Sequence, residues 1–201
     1  MRLYSMPSSG NSYKLRLLLA FLGREVEMVD VEAGSAALAS AKAEGRLPFG
    51  KAPVLELPDG RLLPESNAIL CWLGEGTRFV PADPLEQAEM LGWMFWEQNS
   101  HEGVIAVRAA LRCYPHRRAE ATPDRMAALL EAGHGLLAIM ERRLAGRDWL
   151  VGAGPSLADI CLYAYTHSAG SRGGFEMERF PHVRDWLDRV AALPGYKGLH
   201  D

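Results

Sequence analysis

The sequence predicts an α/β domain over residues 1–76, a linker over 77–84 and an all-helical domain over 85–201. Three observations lead there. Two short strand-like runs flank a helix-period segment near the N-terminus. A tight turn, Pro58-Asp59-Gly60, separates two further strand-like runs. After Asp83-Pro84 the apolar periodicity is helical almost to the end of the chain.

Residues 2–5 and 25–32 read as strands, the second carrying Val26, Met28, Val29 and Val31. Between them Tyr13 to Leu22 has helical spacing at Leu15, Leu18, Leu19 and Leu22, but Leu17 and Phe21 make the other face apolar as well. A helix that is hydrophobic nearly all round is buried on both sides. The alanine-rich stretch 33–46 is expected to be partly helical. Val54–Leu57 and Arg61–Leu63 form a hairpin, because proline presets φ and glycine tolerates positive φ at the turn. Ser66 can cap a helix running to about Gly74. The order β-α-β then β-β-α is that of a thioredoxin-like module. Beyond it, residues 75–84 have linker chemistry, with two prolines and a glycine. Long periodic segments follow at about 85–112, 123–145, 156–168 and 181–193. Asp83-Pro84, Thr122-Pro123-Asp124, Ser156 with Asp159, and Phe180-Pro181 are their start signals.

Composition narrows the function. With 48% hydrophobic and 23% charged residues, the chain is that of an ordinary globular protein. A net charge of −3 gives no electrostatic argument for nucleic acid or an anionic membrane. No run approaches the ~20 apolar residues of a membrane span, and the N-terminus lacks a recognisable secretory signal. Cys71, Cys113 and Cys161 are odd in number and lack Cys-x-x-Cys spacing, which excludes a dithiol enzyme and suggests free thiols in a reducing compartment. A cytoplasmic location is expected. His101-Glu102 lacks the second histidine of a zinc-protease motif, so no metal site is expected.

One ordered set of residues is more specific than the rest: Gly50-Lys51-Ala52-Pro53-Val54-Leu55, then Asp59-Gly60, then Glu65-Ser66-Asn67-Ala68-Ile69-Leu70. A proline beginning a strand cannot donate to the ladder and needs a special position. A turn backbone beside an open helix N-terminus can hold a peptide-like anion. This order and spacing resemble the glutathione-binding half of the glutathione S-transferase family, and the two-domain plan extends the resemblance over essentially the whole chain. The resemblance implies a cis Pro53, backbone pairing of Ala52 with the glutathione cysteine, and a grip on the γ-glutamyl end by Glu65 and Ser66. It puts Lys51 within reach of the glycine carboxylate, although a solvated lysine is an equal reading. Ala52 stands where family members often have valine, but only its backbone should matter.

The same resemblance, to bacterial members of serine or asparagine type, makes Ser9 the hydroxyl that activates the thiol, with Asn11 as its assistant or replacement. A hydrogen bond donated to the thiolate favours the charged form and lowers the thiol pKa. Ser8, Ser9, Asn11 and Ser12 are equally suited to turns and caps. The implied reaction conjugates glutathione, as cosubstrate, to a small hydrophobic electrophile, in a homodimer without nucleic-acid or membrane partners and without a tightly bound cofactor. Alternatives are glutathione-dependent isomerisation, disulfide reduction through Asn11, and a non-catalytic binding module. In the helical half, Trp93 to Glu102 reads either as the border of the electrophile pocket, with Ser100, His101, Val104 and Arg108 as walls, or as an aromatic core stripe beside a solvated Glu97–His101 pair.

Overall fold

The computed structural model describes all residues, Met1–Asp201. In chain order the elements are β1 (Arg2–Ser5), α1 (Gly10–Phe21), β2 (Glu27–Asp30), α2 (Ala36–Ala43), β3 (Val54–Glu56), β4 (Leu62–Pro64) and α3 (Ser66–Gly74). An all-helical stretch follows: α4 (Pro84–Trp96), α5 (Glu102–Cys113), α6 (Pro123–Leu144), α7 (Leu157–Thr166) and α8 (Pro181–Ala191). The architecture is the expected one, a thioredoxin-like α/β domain followed by helices. No helix is long and apolar enough to cross a membrane.

The chain divides into two compact units, Met1–Thr77 with Leu193–Asp201, and Arg78–Ala192. The first holds a four-stranded sheet of order β2-β1-β3-β4, in which β1 runs parallel to β2 and antiparallel to β3, and β3 antiparallel to β4. Cross-strand partners Tyr4 and Val54 bury with Val31, Ala41 and Leu47. Their neighbours Leu3 and Leu55, a paired couple with no exposed surface, face the other way because strand side chains alternate. The hairpin turn is as expected, with Gly60 at φ 84° and its N–H donating to Leu57 O at 2.9 Å.

Helix α1 is buried nearly all round, with Leu15, Leu17 and Leu18 fully inaccessible and Asn11, Arg16 and Ala20 partly exposed. Helix α3 packs on it, and the C-terminal segment is bonded to it. That segment was expected to belong to the helical domain. Instead Tyr13 Oη donates to Lys197 O at 2.7 Å and Arg16 Nη2 to Leu199 O at 3.0 Å, so Leu193–Asp201 joins the first unit. β2 is shorter than the expected 25–32, because only Glu27–Asp30 pair with β1.

In the second unit, Phe79, within the expected linker, is fully buried and its carbonyl accepts from Leu157 N at 2.9 Å. The periodic stretch 85–112 is not one α-helix. A π-helical turn, Glu97–His101, separates α4 from α5. Glu97 and His101, the first and last residues of that turn, are both fully buried, so the solvated-pair reading fails. Thr166 Oγ1 lies 3.1 Å from His101 Nε2, and the Cys161 thiol donates to Glu97 Oε2 at 3.3 Å. At the start of α7, buried Asp159 accepts from Leu150 N, Trp186 Nε1, Ser156 N and Ser156 Oγ at 2.8–2.9 Å, realising the start signal read at Ser156.

Candidate functional site

The predicted site residues fall in the first unit, at the N-terminal ends of α1 and α3 and at one end of the β3–β4 hairpin. Ser9 occupies the cap position of α1 with an extended backbone (φ −88°, ψ 130°). Its carbonyl accepts from Tyr13 N at 2.9 Å and its N–H donates to Met6 O at 3.0 Å. Its hydroxyl makes no capping bond, so the side chain does not serve as a cap.

The loop before Ser9 is otherwise tied down. Met6 N donates to Ser12 Oγ at 2.9 Å. Ser8 donates to Glu32 through both its amide, at 3.0 Å, and its hydroxyl, at 2.7 Å. Burial works against the Glu32 charge, but those two bonds, one from Ala33 N and the nearby Arg16 cation hold its carboxyl below the usual range.

Asn11 lies in the first turn of α1, where its Oδ1 accepts from Ser66 Oγ at 3.1 Å. Ser66, almost fully buried, is the first residue of α3 rather than its cap. The cap position belongs to Glu65, exposed and without a side-chain capping bond. This corrects the capping role read for Ser66: its hydroxyl turns away from its own helix to meet α1. Glu65 has φ 71° and ψ 114°, and it is the one non-glycine residue of the chain with positive φ. A residue held there costs about 1–3 kcal/mol and marks a position over-determined by its surroundings.

The Ala52–Pro53 peptide is cis, as the motif implies. Val54 pairs with Pro64, so the Ala52–Pro53 and Glu65–Ser66 steps share one end of the hairpin. Pro53 is buried, Ala52 half-buried and Lys51 exposed. The structure thus brings Asn11 to Ser66, and Pro53 to the strand leading into Glu65. Lys51 makes no hydrogen bond or ion pair to the others.

Two helix N-termini without acidic residues in their first turns make this a favourable place for anionic groups. Lys14 was not singled out in the sequence, although a lysine on an all-apolar helix is itself a signal. It is fully buried, and its Nζ donates to Asn67 Oδ1 at 3.3 Å, joining α1 to α3 beside the Asn11–Ser66 bond. In the second unit, His101 is enclosed and cannot wall an open pocket. Arg108 donates to the carbonyls of Gly173, at 2.8 Å, and Met126.

Comparison with known proteins agrees with this geometry. The family model of the glutathione S-transferase N-terminal domain matches residues 3–77, and that of the C-terminal domain matches 104–194. A crystal structure of a glutathione S-transferase from Xanthobacter autotrophicus is 41% identical, covering 98% of this chain and 96% of that one, with a TM-score of 0.90. Another, from Pseudomonas fluorescens, is 38% identical over 100% of this chain and 98% of that one, with a TM-score of 0.92. Maleylacetoacetate isomerase from Pseudomonas aeruginosa is 26% identical over 100% of this chain and 95% of its own length. The chain belongs to the glutathione S-transferase family.

Proposed function

We propose that the protein binds glutathione along the N-terminal ends of α1 and α3 and joins its thiolate sulfur, with the peptide intact, to a small electrophile. Backbone groups of Ala52 pair with the cysteinyl part, and Ser66 with Glu65 takes the γ-glutamyl end. The Ser9 hydroxyl donates to the sulfur. The thiol proton leaves to solvent, the thiolate forms a C–S bond at the electrophilic carbon, and the leaving group departs with its electron pair.

The observation that carries this reading is the state of the loop side chains. Ser8 is bonded to Glu32, Ser12 to Met6, and Asn11 to Ser66, whereas the Ser9 hydroxyl at the helix start has no bond of this kind. That supports Ser9 as donor to the thiolate and Asn11 as a residue that orients Ser66. The test is the thiol titration of bound glutathione, followed by thiolate absorbance in the near ultraviolet. Ser9→Ala should raise the thiol pKa toward its value in water, with glutathione affinity nearly unchanged, and Asn11→Ala should move it less. A larger shift for Asn11→Ala would transfer the role to the amide.

The full-length likeness to maleylacetoacetate isomerase supports a second reading. The same thiolate would add to a conjugated double bond, allow rotation and be expelled, leaving glutathione unconsumed. Here the loop reads Ser9-Gly10-Asn11 without a cysteine. Glutathione consumed one-for-one with product supports transfer, and turnover without consumption supports isomerisation. The assembly proposed with either reading is a homodimer, checked by light scattering.

A further inference from the structure

We propose that Arg16 is a positioning residue through which the C-terminal segment Lys197–Leu199 holds the loop carrying Ser9 in place. This rests on the assignment of Ser9 as donor to the glutathione sulfur.

The geometry is a single guanidinium bridging two otherwise separate pieces of backbone. Its Nη1 donates to Ser5 Oγ at 2.9 Å and to Met6 O at 3.4 Å. Its Nη2 donates to Pro7 O at 2.9 Å and to Leu199 O at 3.0 Å. The last residue of β1, the two loop residues after it and one residue of the C-terminal segment thus share one planar cation. Met6 O also accepts the Ser9 amide at 3.0 Å, so the guanidinium is one hydrogen bond away from the Ser9 backbone.

Arg16 is half-buried and forms no ion pair, so the loop and tail carbonyls replace much of its hydration. Burial works against its charge, and Asp30, Tyr13 and Glu32 counter that from further away. A guanidinium deprived of one acceptor re-engages water or turns toward it, and either response slackens its remaining bonds. Tail and loop are therefore coupled through one desolvated group.

Both hydrogen bonds and the burial of Leu199 hold the tail. A cavity of about 350 Å³ remains beside it, lined among others by Arg16, Leu19, Arg24, Met28 and Lys197. Besides Arg16, the tail is held by the 2.7 Å bond from Tyr13 Oη to Lys197 O. It also passes close to α1 at Gly195, whose φ is 86° and where a Cβ would lie 2.8 Å from Ala20 O. Only glycine suits that passage.

Two substitutions loosen the tail while leaving the Arg16 side chain in place: Tyr13→Phe, which keeps the ring beside Arg16 and the backbone bond to Ser9 O, and Gly195→Ala. Arg16→Lys keeps the charge and removes the fork. Each is read by amide exchange of Ser5, Met6, Ser8 and Ser9 and by the thiol titration of bound glutathione. Asp159→Asn, in the other unit, controls for general loss of stability. The expected result is about tenfold faster loop exchange in all three variants, the worth of one hydrogen bond to a charged group. The thiol pKa should rise with it, while glutathione affinity stays within about twofold because the Glu65–Ser66 grip is intact. Faster exchange confined to the tail, with loop exchange and thiol pKa unmoved, overturns the proposal. If Ser9→Ala fails to move the thiol pKa, the donor assignment falls. Loop exchange alone then decides the coupling.

Discussion

Ser66 Oγ donates to Asn11 Oδ1 across 3.1 Å, joining the first turns of two helices whose residues stand 55 apart in the chain. Each side chain alone suits a helix start, and together they fix how α1 and α3 meet at the site. The pair should therefore be energetically coupled. A double-mutant cycle with Asn11→Ala and Ser66→Ala, read by denaturant unfolding, should give an interaction energy of about 0.5–3 kcal/mol. Additive losses would mean that the bond contributes little to the fold.

Glu65 separates binding from stability. Its backbone sits at φ 71°, and its exposed side chain makes no capping bond. Glu65→Gly removes strain of about 1–3 kcal/mol while adding roughly 0.5–1 kcal/mol of backbone entropy cost. The melting temperature should hold or rise, while glutathione affinity falls at least tenfold, as for about 1.5–3 kcal/mol of charge-assisted bonding. Glu65→Ala should lose the same affinity without the gain in stability. Unchanged affinity by calorimetry in both would remove Glu65 from the site.

Glu32 makes the loop sensitive to acid. Its carboxyl is held below the ordinary value of 4.5, so its contribution is fully present above that value. It is lost as pH falls through the lower native value. Glu32→Gln should melt below the parent protein at neutral pH, and the gap should close as pH falls below the ordinary value through the lowered native one. A gap that stays constant with pH would show that ionisation of Glu32 is not what anchors Ser8.

Asp159 should be the costly position in the helical unit. All four of its partners are donors, so Asp159→Asn turns an NH2 group toward at least one of them in a buried site. We expect a loss of about 2–4 kcal/mol, seen as a drop of roughly 5–15 °C in melting temperature. Trp186→Phe, which removes one donor and keeps most of the ring, should cost less. Equal losses would indicate that packing of the indole dominates.

The local elements were legible where the chemistry is local. Pro58-Asp59-Gly60 makes a turn in almost any setting, the α1 residues Leu15 to Phe21 demand burial, and Asp83-Pro84 starts a helix wherever it falls. The ordered motif from Gly50 to Leu70 also carried the family, because close backbone approach and a helix start need those residue types in that order. Tertiary structure decided the rest. Spacing could not show that Ser66 would turn from its own helix toward Asn11, since that bond depends on how two distant helices dock. Nor could it show that Lys14 would lie buried against Asn67, or that Glu97 and His101, at the two ends of a π-helical turn, would be fully buried. The tail at 193–201 joined the α/β unit because Tyr13 and Arg16 supply donors for its carbonyls. A backbone carbonyl leaves no mark in the sequence to say which distant side chain will claim it.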